Sequence, residues 1–177
     1  MTVLKSKRKE SQFEVFHHLT RLRRDITNLL LFDFGFDINK AIKELEKRFG
    51  GRSYEQLNDE EKEQYNKEFE RLKAFAEWFI PLEREAIVNF LREINTNVYD
   101  ANNLYPTCVS ELEERRKHQD IAIGLCYALT QELQYVIESL PVNINKYTPF
   151  AEAIQKEINL IKGWRKSDNK FKKAISV

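Results

Sequence analysis

The sequence predicts an all-α protein: an antiparallel up-and-down four-helix bundle with an acidic helical insertion between its first and second helices. Three observations lead there. Apolar residues recur at three- and four-residue steps along nearly the whole chain, and no stretch alternates as a strand would. Five Gly and four Pro in 177 residues leave few breaks, so the elements are long. Hydrophobic residues make up 42% of the chain, enough for a core. Amphipathic helices of this length depend on burying their apolar faces against one another. Short connections between long helices make neighbours antiparallel, and four such helices close most economically as a bundle within one domain.

The first helix is marked by Phe13, Phe16, Leu19, Leu22, Ile26, Leu29 and Leu30 on one face. "DFGFD" (33–37) ends it, with Gly35 suited to a left-handed terminator. Ile38, Ile42, Leu45 and Phe49 mark a short helix stopped by Gly50-Gly51. Asn58 followed by Glu61 has the spacing of a capping box and opens a polar helix rich in Glu and Lys. That helix turns apolar at "FAEWFI", where Pro81 either kinks it or begins a new one. "NLYPT" (103–107) is a break. A third long helix runs from about Ser110 to Ser139, with Leu112, Ile123, Cys126, Leu133 and Ile137 inward. "LPVNINKYTPF" is a loop, and Thr148 with Pro149 supplies an N-cap and first position for the last helix. Phe150, Ile154, Ile158, Ile161 and Trp164 line its face. The predicted bundle members are residues 10–33, 67–103, 108–140 and 149–167. Residues 37–66 form an inserted acidic helical hairpin and residues 168–177 a basic tail.

The formal net charge of +1 hides an uneven distribution. Residues 1–24 hold Lys5, Lys7, Arg8, Lys9, Arg21, Arg23 and Arg24 against Glu10 and Glu14. Residues 156–177 hold Lys156, Lys162, Arg165, Lys166, Lys170, Lys172 and Lys173 against Glu157 and Asp168. The other 15 basic residues face 24 acidic ones. Basic ends point to a polyanionic partner, and the acidic middle to a solvated or partner-facing surface.

Several classes are disfavoured. No apolar run approaches the roughly 20 residues of a membrane span, and no apolar stretch follows the basic N-terminus as a secretory signal requires. Cys108 and Cys126 have no CxxC spacing and read as reduced thiols of a cytoplasmic protein. Glu14-x-x-His17 matches half of a di-iron bundle motif, the basis of a metal-carboxylate enzyme reading. The second half is missing, because Arg115 stands three residues before His118. His17 and His18 read instead as a solvated pair. P-loop and GxSxG patterns are absent, Cys126 lies in apolar "IAIGLCYAL", and "ELEERRKHQD" reads as a solvated, salt-bridged face. No active site, metal or cofactor is assigned.

The basic ends carry the functional expectation. Arg21, Arg23 and Arg24 fall on the polar side of the first helix, opposite Leu22 and Ile26. If the first and last helices are neighbours, their charges join. Arg forks onto phosphates and Lys adds diffuse attraction. Trp164, between Lys162 and Arg165, has two readings: a platform for an unpaired base, or the last core residue of the Ile154–Ile161 stripe.

The stretch "AEAIQKEINLIKGWRKSDNK" resembles the closing helix of the accessory variability determinant (Avd) proteins of bacterial diversity-generating retroelements. Glu157, Ile158, Ile161, Gly163 and Trp164 fill the family's pattern before a basic tail. The resemblance implies a small four-helix protein without enzymatic activity. It implies a homo-oligomer, often a pentameric barrel, that binds RNA or DNA and a reverse transcriptase. The nucleic-acid-binding residues then expected are Lys5, Lys7, Arg8, Lys9, Arg21, Arg23, Arg24, Lys162, Trp164, Arg165, Lys166, Lys170, Lys172 and Lys173. The competing expectation is a structural or regulatory protein-interaction bundle whose basic ends meet an acidic protein.

Overall fold

The computed structural model describes residues 10–175, apart from the side chains of residues 10–13 and 172–174. Within that range the chain is all-helical, and no strand occurs among the described residues. The helices are α1 (Glu10–Leu31), α2 (Ile38–Arg48), α3 (Asp59–Asn103), α4 (Val109–Ser139), α5 (Thr148–Ser167) and α6 (Asn169–Ile175).

α3 packs along α4, α4 on α5, α5 on α1 and α1 on α3. Side-chain pairs fix the directions. Between α3 and α4, Phe79 meets Tyr135 and Asn97 meets His118, so the two run antiparallel. Between α4 and α5, Asp120 meets Arg165 and Tyr127 meets Lys162, again in reverse order. Between α1 and its partner α5, His18 meets Glu157, while Phe34, just past α1, meets Tyr147, just before α5. Val15, Leu19, Leu22 and Ile26 of α1 join Phe79, Ile87, Ile94, Cys126, Leu129, Ile154, Ile158, Ile161 and Trp164 in one core.

The turns follow local chemistry. After α1 a single 3-10 turn places Asp33, Phe34 and Gly35 at φ 49°, 60° and 76°. A left-handed Phe is costly, and this one is held by complete burial and by the Tyr147 hydroxyl, which donates to its carbonyl at 2.7 Å. Gly50 and Gly51 close α2 in a Schellman motif, with Gly51 N–H on the Glu46 carbonyl. The Asn58–Glu61 capping box forms as the spacing predicts. Thr148, the expected N-cap of the last helix, is instead its first helical residue, and Tyr147 holds the cap position.

Two expectations about the insertion change. α3 runs unbroken through Pro81 from Asp59 to Asn103. Pro81 faces solvent, so the carbonyl it leaves without an intrahelical partner is exposed on the outer side. The second arm of the expected hairpin is therefore the first two turns of α3 and not a separate helix. α3 has 45 residues and α4 has 31, so α3 overhangs its partner by about 20 Å. α2 packs on that overhang around a small cluster of Leu45, Leu57 and Tyr65, flanked by Phe49 and Phe69. Residues 169–175 of the expected basic tail form α6.

Candidate nucleic-acid interface

α5 ends at Ser167, and the next residue decides what happens there. Asp168 continues the Ile154, Ile158, Ile161, Trp164 spacing by one more turn and is completely buried. Its carboxylate accepts from Arg115 Nε at 2.7 Å, Arg115 Nη2 at 3.2 Å and Gln119 Nε2 at 2.8 Å. Arg115 Nη1 donates to the carbonyls of Ala101 and Leu104, both at 2.7 Å. Those carbonyls lie at the C-terminus of α3, where backbone acceptors lack intrahelical partners and the helix dipole favours a cation. The guanidinium also lies 4.9 Å from the Trp164 ring and 5.6 Å from that of Phe171. One side chain thus joins α3, α4, α5 and α6 at the same end of the molecule.

This centre corrects one sequence expectation and decides between the two readings of Trp164. "ELEERRKHQD" is not wholly a solvated face: Leu112, Arg115 and Gln119 are buried. The signal was present in the spacing, since Leu112, Arg115, Gln119, Ala122 and Cys126 recur every three or four residues. Charge type hid it. Trp164 is core, 1% exposed, and offers no face to a base.

A second buried centre lies about three turns back along α5. His18 Nδ1 is 2.7 Å from Glu157 Oε2, with the carboxyl completely buried. Burial, then Lys156 and Arg21, push the His18 ring down. Burial, then Glu14, push the Glu157 carboxyl up to about 8. Both shifts favour a protonated carboxyl donating to a neutral ring. Glu157 Oε1 has no hydrogen-bond partner among the described residues. His18 is therefore not the solvated residue expected, whereas His17 and Glu14 are exposed. Cys126 lies near enough to feel the Glu157 charge, but burial and that charge push its thiol up to about 12. A thiol held that firmly protonated is no nucleophile at neutral pH. No group of three His, Cys, Asp or Glu residues suited to a metal occurs among the described residues.

The basic residues divide accordingly. Lys162, Lys166 and Lys170 are exposed, and Arg165 is half-buried, all on the last two turns of α5 and the start of α6. Arg116 and Lys117, which the sequence reading did not select, lie at the matching end of α4. Arg116 donates to Asn169 at 2.7 Å. Some cations are already engaged: Arg165 pairs with Asp120, Nη2 donating to one carboxylate oxygen at 2.9 Å and Nε lying 2.7 Å from the other, and Lys162 donates to the Tyr127 hydroxyl at 3.0 Å. Lys166 and Lys170 are in no ion pair among the described residues, and Lys170 lies 4.7 Å from the Phe171 ring.

α1 and α5 are neighbours, as the joining of charges requires, and α1 begins at this same end. Its arginines do not form one cluster. Arg21 shares a flank with His18 and approaches it together with Lys156. Arg23 is half-buried and lies roughly 160° away around the helix. Arg24 pairs with Asp25 at 3.1 Å. Lys5, Lys7, Arg8 and Lys9 lie outside the described residues, as do the side chains of Lys172 and Lys173.

A different surface lies on the outer side of α3 and α4. Trp78 is 61% exposed, and Leu82 and Tyr135 are about half exposed. Phe75, Trp78, Phe79 and Tyr135 touch ring to ring, with centroids 4.9 to 6.4 Å apart. Beneath it the buried carboxyl of Glu83 is pushed up by burial and by Glu132 opposite.

No family model, curated protein or solved structure matches this chain. No helix among the described residues is long and apolar enough to cross a membrane. Of the five residues that carry the Avd resemblance, Glu157, Ile158, Ile161 and Trp164 are buried on the inward side of α5, and Gly163 is exposed.

Proposed function

We propose that the protein is a non-enzymatic, cytoplasmic accessory factor that binds single-stranded RNA or DNA through the end of the molecule where α5 stops. The observation that carries this reading is the convergence there of Lys162, Arg165, Lys166 and Lys170 with Arg116 and Lys117, beside the start of α1. The antiparallel contacts support an up-and-down four-helix arrangement of α1, α3, α4 and α5, with α2 as an appendage on the α3 overhang. In that arrangement α1 begins at the same end. The Avd resemblance extends the reading to a retroelement, with a reverse transcriptase as protein partner and a homo-oligomer as the working form. Filter binding of homopolymeric single-stranded RNA and DNA at low and high salt tests the nucleic-acid part. Retention at low salt and release at high salt is expected. Absence of retention at low salt removes it.

A second reading is favoured by the exposed Trp78, Leu82 and Tyr135. Contiguous exposed aromatic surface is characteristic of protein contacts. This protein-interaction reading uses a surface separate from the basic end, unlike the expectation that the basic ends meet an acidic protein. Loss of complex formation in Trp78→Ala, with nucleic-acid binding intact, separates the two.

A further inference from the structure

Trp164 cannot serve as a base platform, yet the basic end does present an aromatic ring. Tyr105 is 77% exposed, more than any other large apolar or aromatic residue described. It stands in the "NLYPT" turn between α3 and α4. The turn is pinned on both sides of the ring. The Leu104 carbonyl accepts from Arg115 at 2.7 Å, and Pro106 is buried. On the next turn Glu111 accepts from the Thr107 N–H at 2.7 Å and the Thr107 hydroxyl at 2.8 Å.

The ring also ends a ladder. Trp164 lies against the Arg115 guanidinium, the guanidinium against Phe171, and Phe171 against Tyr105, whose ring meets it edge-on at 5.2 Å and 82°. Lys170 Nζ lies over the Phe171 ring, 4.7 Å from its centroid. The first rungs are buried and the last faces water. The backbone on both sides of Tyr105 is fixed by these bonds, and the ring rests on Phe171. A ring positioned before a flat ligand arrives lowers the ordering cost of binding.

We infer that Tyr105 is a stacking platform for an unpaired base, with Lys170 and its neighbour Lys166 holding the adjoining phosphates. This rests on the nucleic-acid reading above and adds to it the residue that distinguishes a strand with bases from any polyanion. Stacking on an aromatic ring is tolerant of sequence, since every base has a π face. The site accordingly takes single-stranded nucleic acid with little sequence preference. A duplex, whose bases are already stacked, binds through phosphates alone.

The test uses fluorescein-labelled oligouridylate and an abasic strand of equal length, with anisotropy read at low salt. Tyr105→Ala is expected to weaken oligouridylate binding roughly 5- to 100-fold and to leave the abasic strand unaffected. Tyr105→Phe and Tyr105→Trp restore binding. The melting temperature stays near that of the wild type, because the ring is exposed. Equal oligouridylate binding by wild type and Tyr105→Ala overturns the platform and leaves the nucleic-acid reading standing. An equal loss for both strands shows a general electrostatic or folding effect and also overturns it. If the wild type binds neither strand, both readings fall together.

Discussion

Glu157 and Asp168 are both completely buried on the inward side of the last helices, about three turns apart, and the protein holds them in opposite ways. Asp168 keeps a charged partner and three donated hydrogen bonds, and the partner's remaining donors reach backbone carbonyls. Glu157 has one neutral-tending partner and an oxygen without a hydrogen bond. Burying a charge is tolerable when the carboxylate and its ionic partner are themselves hydrogen-bonded, and at Asp168 it is only the neighbouring Gln119 Oε1 that lacks a hydrogen-bond partner among the described residues. Where partners are few, the group takes a proton instead. The first arrangement locks several elements at one end. The second leaves a titratable joint between α1 and α5.

The largest effect should come from breaking the satisfied centre. Asp168→Ala leaves the Arg115 cation buried without its carboxylate and is expected to cost about 3–5 kcal/mol, read by urea unfolding. Replacing both partners with apolar residues of similar volume should recover much of that loss. Full stability of Asp168→Ala would mean that the network contributes nothing.

Trp164→Ala removes the ring against which Arg115 lies and opens a core cavity, with an expected loss of about 3–5 kcal/mol. Nucleic-acid binding should fall only in proportion to unfolded protein. A binding defect in a fully folded Trp164→Ala protein contradicts its placement in the core.

These two centres also show what a sequence displays. The caps at Asn58–Glu61 and Gly50-Gly51 were legible because their partners lie within a few residues. The helices were legible from their apolar period. Arg115 and Asp168 were not, since they are 53 residues apart in the chain and charge alone reads as solvation. Their positions on the apolar stripes were the available clue. Trp164 followed its stripe into the core, and the exposed ring at the basic end, Tyr105, lay in a turn whose orientation only the fold determines.

The joint at Glu157 should appear as a pH effect smaller than either loss above. Its folded pKa of about 8 stands above the ordinary 4.5, so its contribution to stability is fully present at low pH and is lost as pH rises from 4.5 towards 8. His18 is shifted the other way: its contribution is present above pH 6.5 and is lost as pH falls below it. Between pH 6.5 and 8 the His18 contribution is constant, so the slope there belongs to the carboxyls. Melting temperatures of the wild type should decline across that interval, and Glu157→Gln should flatten the decline. An identical slope in both proteins would mean that the Glu157 carboxyl is ionised when folded.

The end locked by Arg115 and Asp168 is the one for which a ligand is claimed, and its exposed cations give the most direct test. Phosphate contacts release counterions, so log affinity for a single strand should fall linearly with log salt, by about 0.7 per phosphate engaged. Lys166→Gln with Lys170→Gln removes two cations that are in no ion pair among the described residues. The double variant should bind oligouridylate more weakly and with a slope shallower by roughly 1.4, at unchanged melting temperature. A wild-type affinity indifferent to salt, or a slope that the double variant leaves unaltered, would contradict the assignment of this end to nucleic acid.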